Sequence, residues 1–227
     1  MTLNIPTPNE DLPTHIRQAI VKIIQSQKLK LDPKPGSWNS STTEVWIKFE
    51  ADTYKQDIAN ILEKGREEAK RTRPPEDDAA INKLYDTWQK INNQEDWHHT
   101  WPQWLGGAEI QTPTLYMPRW IHDFGRKGDG LEAVSFHRHL REIWYQSEFY
   151  KTYSNKGYKL SYESSSLFQE AFNGEAQKGI EERKKFIRLV KELLLQAYKN
   201  AFETAGGQET VNQISQLLDK EMKTLLN

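Results

Sequence analysis

Prolines and glycines crowd the middle of this chain and limit what it can fold into. Between about Asn92 and Tyr158 they interrupt any long helix, because proline removes a backbone donor and glycine favours turns. The flanks read differently. Ile16, Ile20, Ile23 and Ile24 repeat at helical spacing and predict a first helix from about Thr14 to Lys28. Ile58, Ile61 and Leu62 predict a second over residues 54–70. After a break at residues 71–75, an acidic first turn and Ile81, Leu84, Tyr85 and Trp88 predict a third, over 76–91. Residues 43–50 have the pattern of a short strand, preceded by a loop at 32–41.

Beyond the middle, Ile180, Phe186, Ile187, Val190, Leu194 and Ala197 predict a helix over 175–202, stopped by Ala205, Gly206 and Gly207. Val211 to Leu225 gives a closing amphipathic helix, and the two are expected to form a hairpin. The expected fold class is α+β, predominantly α-helical. Three segments are expected: a mainly helical region at 1–90, a compact centre at 91–158, and a helical hairpin at 159–227.

Composition excludes some chemistry. With no cysteine among 227 residues there are no disulfides, thiol nucleophiles or cysteine-held zinc, so a metal site must use His, Asp, Glu or Asn. A formal net charge of −1 leaves any anionic partner to be met by a local patch. No cleaved signal and no run of about 20 apolar residues is read, so no membrane association is expected. The expected location is the cytoplasm of the producing cell, or beyond it by a route without a cleaved signal.

Five of the six histidines (98, 99, 122, 137 and 139) fall in the middle segment. The stretch WHHTWPQWLGG, Trp97 to Gly107, places two of them side by side. Adjacent residues on a strand point to opposite faces, so His98 and His99 are not expected to enter one core. They suit two tasks at one site, since neutral imidazole can bind a metal or accept a proton from water. Taken alone, the pair also fits two hydrogen-bonded histidines beside an aromatic cluster.

The order of parts narrows the reading. His98 and His99 are followed by Pro102, by Gly106 and Gly107, then by a return strand and Pro118, Arg119, Trp120, Ile121 and His122. Over residues 95–150 this resembles the ββα-metal nucleases, the HNH and endonuclease VII superfamily, and especially its HH-motif toxin branch, to which the colicin DNases belong. The resemblance implies a small ββα-metal core flanked by helical segments. It implies a metal-dependent endonuclease with His99 as general base and His98 and His122 as ligands of one divalent ion (Mg, Zn, Ni or Mn). The family places a further histidine about one helical turn on, where this chain has Arg126. If the glycine-rich stretch 125–130 is an insertion, His137, at the start of a helix over 131–148, becomes that ligand. His139 is left to phosphate contact or to supporting a ligand.

Arg119, Arg126, Lys127, Arg138 and Arg141 cluster around the site in sequence and are candidates to meet phosphates. Trp97, Trp101, Trp104 and Trp120 are expected to wall the site rather than to stack on bases. By resemblance the partner is nucleic acid, DNA ahead of RNA, and a toxic role implies an immunity protein and a delivery apparatus. An RNase, or a binding module that has lost the metal, remains open at this stage.

Overall fold

The computed structural model describes residues 11–33, 44–49, 52–72, 74–107, 114–123, 135–203 and 207–226. In order these form α1 (Leu12–Gln25), β1 (Leu29–Pro33), β2 (Glu44–Phe49), α2 (Thr53–Thr72), α3 (Pro75–Ile91), β3 (Glu95–His99), a single 3₁₀ turn (Gln103–Leu105), β4 (Thr114–Pro118), α4 (Arg119–Asp123), α5 (Phe136–Trp144), α6 (Glu148–Asn155), α7 (Ser165–Ala176), α8 (Ile180–Glu203) and α9 (Gln208–Leu226). The fold is α+β and predominantly helical, as expected. No helix among the described residues is long and apolar enough to cross a membrane.

Several boundaries differ from the expected ones for local reasons. Helix α1 stops at Gln25 because Ser26 donates from both its backbone and its hydroxyl to the Ile23 carbonyl. This frees Leu29–Pro33 to become β1, a strand whose last two residues were expected to be loop. Within the described residues the helix expected over 131–148 is only α5. Ser135 caps its start by accepting from the Arg138 N–H, and Ser147 caps the start of α6. The helix expected over 175–202 is broken between α7 and α8, where Gly179 takes φ +127°.

The four strands form one sheet in the order β1-β2-β4-β3. β1 and β2 are antiparallel, β2 and β4 parallel, and β4 and β3 antiparallel. The antiparallel pair β3 and β4 followed by α4 makes a ββα unit, and β2 extends it by pairing Val45 with Leu115. β4 therefore lies inside the sheet, and its Leu115 and Met117 are fully buried. β3 is an edge strand.

Helix α8 packs along both α5 and α9 and buries Phe186, Val190, Leu194, Ala197, Tyr198 and Phe202. Its N-terminal end is tied to its neighbours by a buried acid. Glu175 on α7 is fully buried and receives Lys156 at 2.6 Å and Lys178 at 2.7 Å; Lys156 also reaches Glu182 on α8 at 3.4 Å. Burial alone would raise the Glu175 carboxyl, but the bonds from Lys156 and Lys178 outweigh it and hold the pKa below its ordinary value.

Glu175 therefore binds its proton less readily in the folded chain than in the unfolded one. Its contribution is present above the unfolded value near 4.5 and is lost as pH falls through the lower folded value. Urea unfolding of Glu175→Gln at pH 7 should show a loss of about 2 kcal/mol, in the range for hydrogen bonds to charged groups. The gap to wild type should narrow below pH 4.5, and a gap that stays constant across pH would count against this account.

Candidate metal centre

Alternation along β3 separates its side chains. Trp97 and His99 share one face, their ring centroids 4.8 Å apart, while Asp96 and His98 share the other and both turn toward His122. Both histidines are buried, at 6% and 7% exposure, but in different surroundings. His98 sits against Phe136 and Tyr198 from α5 and α8. His99 is covered by Trp97 and by Gln103, whose side-chain amide lies 2.9 Å from His99 Nε2.

The turn after β3 needs its glycines. Gly106 takes φ +88° to close the 3₁₀ turn, a left-handed conformation that disfavours other residues. At Gly107 a Cβ would fall on the Trp101 carbonyl oxygen. Trp101 is fully buried and donates its indole N–H to the Leu105 carbonyl at 2.7 Å. From there β4 runs back beside β3, pairing Leu115 with His98, and α4 presents His122.

His98, His122 and His137 converge. His122 Nε2 lies 3.2 Å from His98 Nδ1 and 3.0 Å from His137 Nε2. Hydrogen bonds on the outer nitrogens assign the protons. The Tyr198 hydroxyl donates its single hydrogen to the Thr100 carbonyl at 2.9 Å, so it must accept from His98 Nε2–H at 3.0 Å. The Tyr162 hydroxyl donates to the His137 carbonyl and accepts from His137 Nδ1–H, each at 3.2 Å. His122 Nδ1–H donates to the Asp96 carboxylate at 3.1 Å. All three inner nitrogens are thus left as lone pairs aimed at one another.

Such a group fits a metal ion. Ligand atoms of the three histidines all lie within 4.8 Å of one another. Tetrahedral bonds of 2.0–2.1 Å would place nitrogens about 3.3 Å apart, close to the His98–His122 and His122–His137 separations. Outer partners that fix the tautomer are the usual support of metal-binding imidazoles. Burial, and then the neighbouring His122, His137 and His99, push the His98 pKa well below its ordinary value, so its lone pair is available at neutral pH.

Of the residues expected at the site, His98, His122 and His137 come together and His99 lies next to His98. His139 is not in the group; its Nδ1 lies 3.9 Å from Glu142. Arg119 is held by Gln94 at 2.7 Å and Asp96 at 3.9 Å, and Arg138 by Glu142 at 2.6 Å. Arg126 and Lys127 lie outside the described residues, and of Trp120 only the backbone is described. Trp104 packs on Trp144 and Tyr162 as a wall residue, whereas Trp97 is 58% exposed. Asp96, Tyr162 and Tyr198 were not foreseen. Only Asp96, two residues before His98, gave a signal, since alternate strand residues share a face.

A cavity of about 190 Å³ opens onto the group, bordered by Trp97, His98, His99, Gln103 and His137. The second histidine of the pair and two of the converging three therefore face the same space. The chain matches no family model, no curated protein and no solved structure.

Zn²⁺ or Co²⁺ titrated into the metal-free chain should bind one ion per chain in isothermal calorimetry, and His122→Ala should abolish this. Tyr162→Phe and Asp96→Asn should keep the fold and weaken binding by about 10- to 100-fold, the usual cost of removing such supports. Equal affinity in wild type and His122→Ala would rule the site out.

Proposed function

We propose that this chain is a metal-dependent endonuclease that hydrolyses phosphodiester bonds in nucleic acid, with DNA ahead of RNA. The observation that carries this reading is the group of three inward-facing imidazole lone pairs, two of whose histidines, His98 and His137, share one cavity with His99. Three neutral imidazoles holding one ion, with room left for substrate, is the pattern of catalytic rather than structural sites. Imidazole donors favour zinc or nickel over the harder magnesium ion. The resemblance of residues 95–150 to the HH branch of the ββα-metal nucleases supports the same roles.

In this reading His98, His122 and His137 hold the ion, which when bound supplies positive charge to the scissile phosphate. His99 accepts the proton of the attacking water as the water oxygen bonds to phosphorus. The bond from phosphorus to a sugar oxygen breaks, and that oxygen takes a proton from solvent. Gln103 fixes the His99 ring, and Trp97 covers one side of it. His137 answers the objection raised by Arg126, because it completes a triad, which favours an active site over a scaffold that has lost its metal. A role as a toxic effector delivered to a target cell, with an immunity protein as partner, rests on the resemblance alone.

Supercoiled plasmid should be nicked by the purified chain with Zn²⁺, Ni²⁺, Mn²⁺ or Mg²⁺ supplied in turn, and not in EDTA. His99→Ala should lose about 10²- to 10⁴-fold in rate, the range for a general base, while binding the ion as wild type does. Cleavage that is unchanged in His99→Ala would sink the assignment of the base.

A further inference from the structure

A second and larger cavity, of about 710 Å³, adjoins the histidine group. Its lining includes His137, Arg141, Glu142, Tyr145, Tyr162 and Glu163. His137 borders both cavities, so a ligand in the larger one lies beside the proposed ion. The volume is in the range of pockets that enclose a small ligand.

The lining has an uneven character. Tyr145 is 48% exposed, and its hydroxyl accepts from the Tyr162 backbone N–H at 3.4 Å, which anchors one end of the ring. Arg141 forms no ion pair with any described residue, whereas Arg138 beside it is neutralised by Glu142. Glu163 adopts φ +60°, the left-handed region that residues with a Cβ rarely occupy, and it follows Tyr162, which supports His137. Left-handed residues of this kind cluster at functional sites.

Arg138 and Arg141 are matched in the lining by Glu142 and Glu163, so the groove carries no surplus of positive charge for a continuous run of phosphates. Mixed donors and acceptors of this kind suit a nucleobase, whose exocyclic amines donate to carboxylate oxygens. A half-exposed tyrosine offers a stacking surface, and one unengaged arginine can meet one phosphate. A net charge of −1 also gives little general attraction for a duplex backbone.

We propose that this groove receives one unpaired nucleotide of the strand being cut, its base against Tyr145 and its phosphate toward Arg141. The inference rests on the nuclease reading for its ligand class, while the groove itself is defined without it. Bases in a duplex are already stacked, so single strands are preferred. DNA and RNA share this chemistry.

The test is fluorescence anisotropy with the full chain carrying His99→Ala, which keeps the probe intact. The probes are a labelled single-stranded DNA, the same sequence as RNA, and a blunt DNA duplex. One of the single strands should bind at least about 10-fold more tightly than the duplex. Adding Tyr145→Ala should cost about 5- to 100-fold, the range for removing a base-stacking ring, while Tyr145→Phe should retain binding. Arg141→Ala should weaken binding and reduce its salt dependence.

Equal or tighter binding of the duplex, or an unchanged affinity in Tyr145→Ala, would overturn the proposal. Plasmid nicking by the wild type combined with that unchanged affinity would leave the nuclease standing and remove the groove. Binding of a single strand that depends on Tyr145, without cleavage under any metal, would keep the groove and remove the nuclease.

Discussion

Three imidazole nitrogens with their lone pairs turned inward, at separations of 3.0 and 3.2 Å, form an arrangement that neutral histidines do not hold unaided. A proton on His122 Nε2 could relieve one of these contacts but not both, and it would leave a cation at a site whose centre is buried. A divalent ion relieves all of them together, since each lone pair becomes a bond. The outer hydrogen bonds to Tyr198, Tyr162 and Asp96 are what bar the easier escape of flipping a tautomer. Two of those partners are phenols whose own hydrogens are committed to backbone carbonyls. The protein thereby converts three outer hydrogen bonds into a directed set of three donors.

This dependence explains why so much chain surrounds a small ββα unit. Tyr198 comes from α8, a hundred residues beyond His98, and its ring stacks on Phe136, the residue before His137. Tyr162 comes from the segment between α6 and α7, and Asp96 from the same strand as His98. Packing of α8 against α5 fixes His137 and the support of His98 in one contact. The bond from Lys156 to the buried Glu175 ties the start of the segment that carries Tyr162 to the far end of α7.

Sequence alone made much of this legible where a period or a motif was present. The isoleucines of α1 and the apolar residues of α8 repeat at helical spacing, and the HH pair with Pro102, Gly106 and Gly107 marks a strand end and turn. His122 and His137 were reached through the family resemblance, which implies a metal histidine after the return strand and a further one beyond it. β1 was missed because its five residues show too short an alternation before Pro33 to stand out beside a loop. The break between α7 and α8 was missed because Gly179 interrupts an apolar period that continues on both sides of it. Tyr198 and Tyr162 carried no signal, since a hydroxyl that bonds an imidazole across a hundred residues leaves no spacing to read. Trp97, grouped with three other tryptophans by composition, could be separated from them only by its place on an edge strand.

Adjacency of His98 and His99 is then a consequence of the strand rather than a coincidence of composition. A single edge strand offers one residue to the interior and the next to its opposite face, and only two consecutive positions can do both at the same height. The interior position loses water, which pushes the His98 pKa down and keeps its lone pair free of a proton. The other position, equally buried, lies beside exposed Trp97 and borders the smaller cavity. The same residue type thus occupies two environments, with the cavity at the strand's end as the place where they meet.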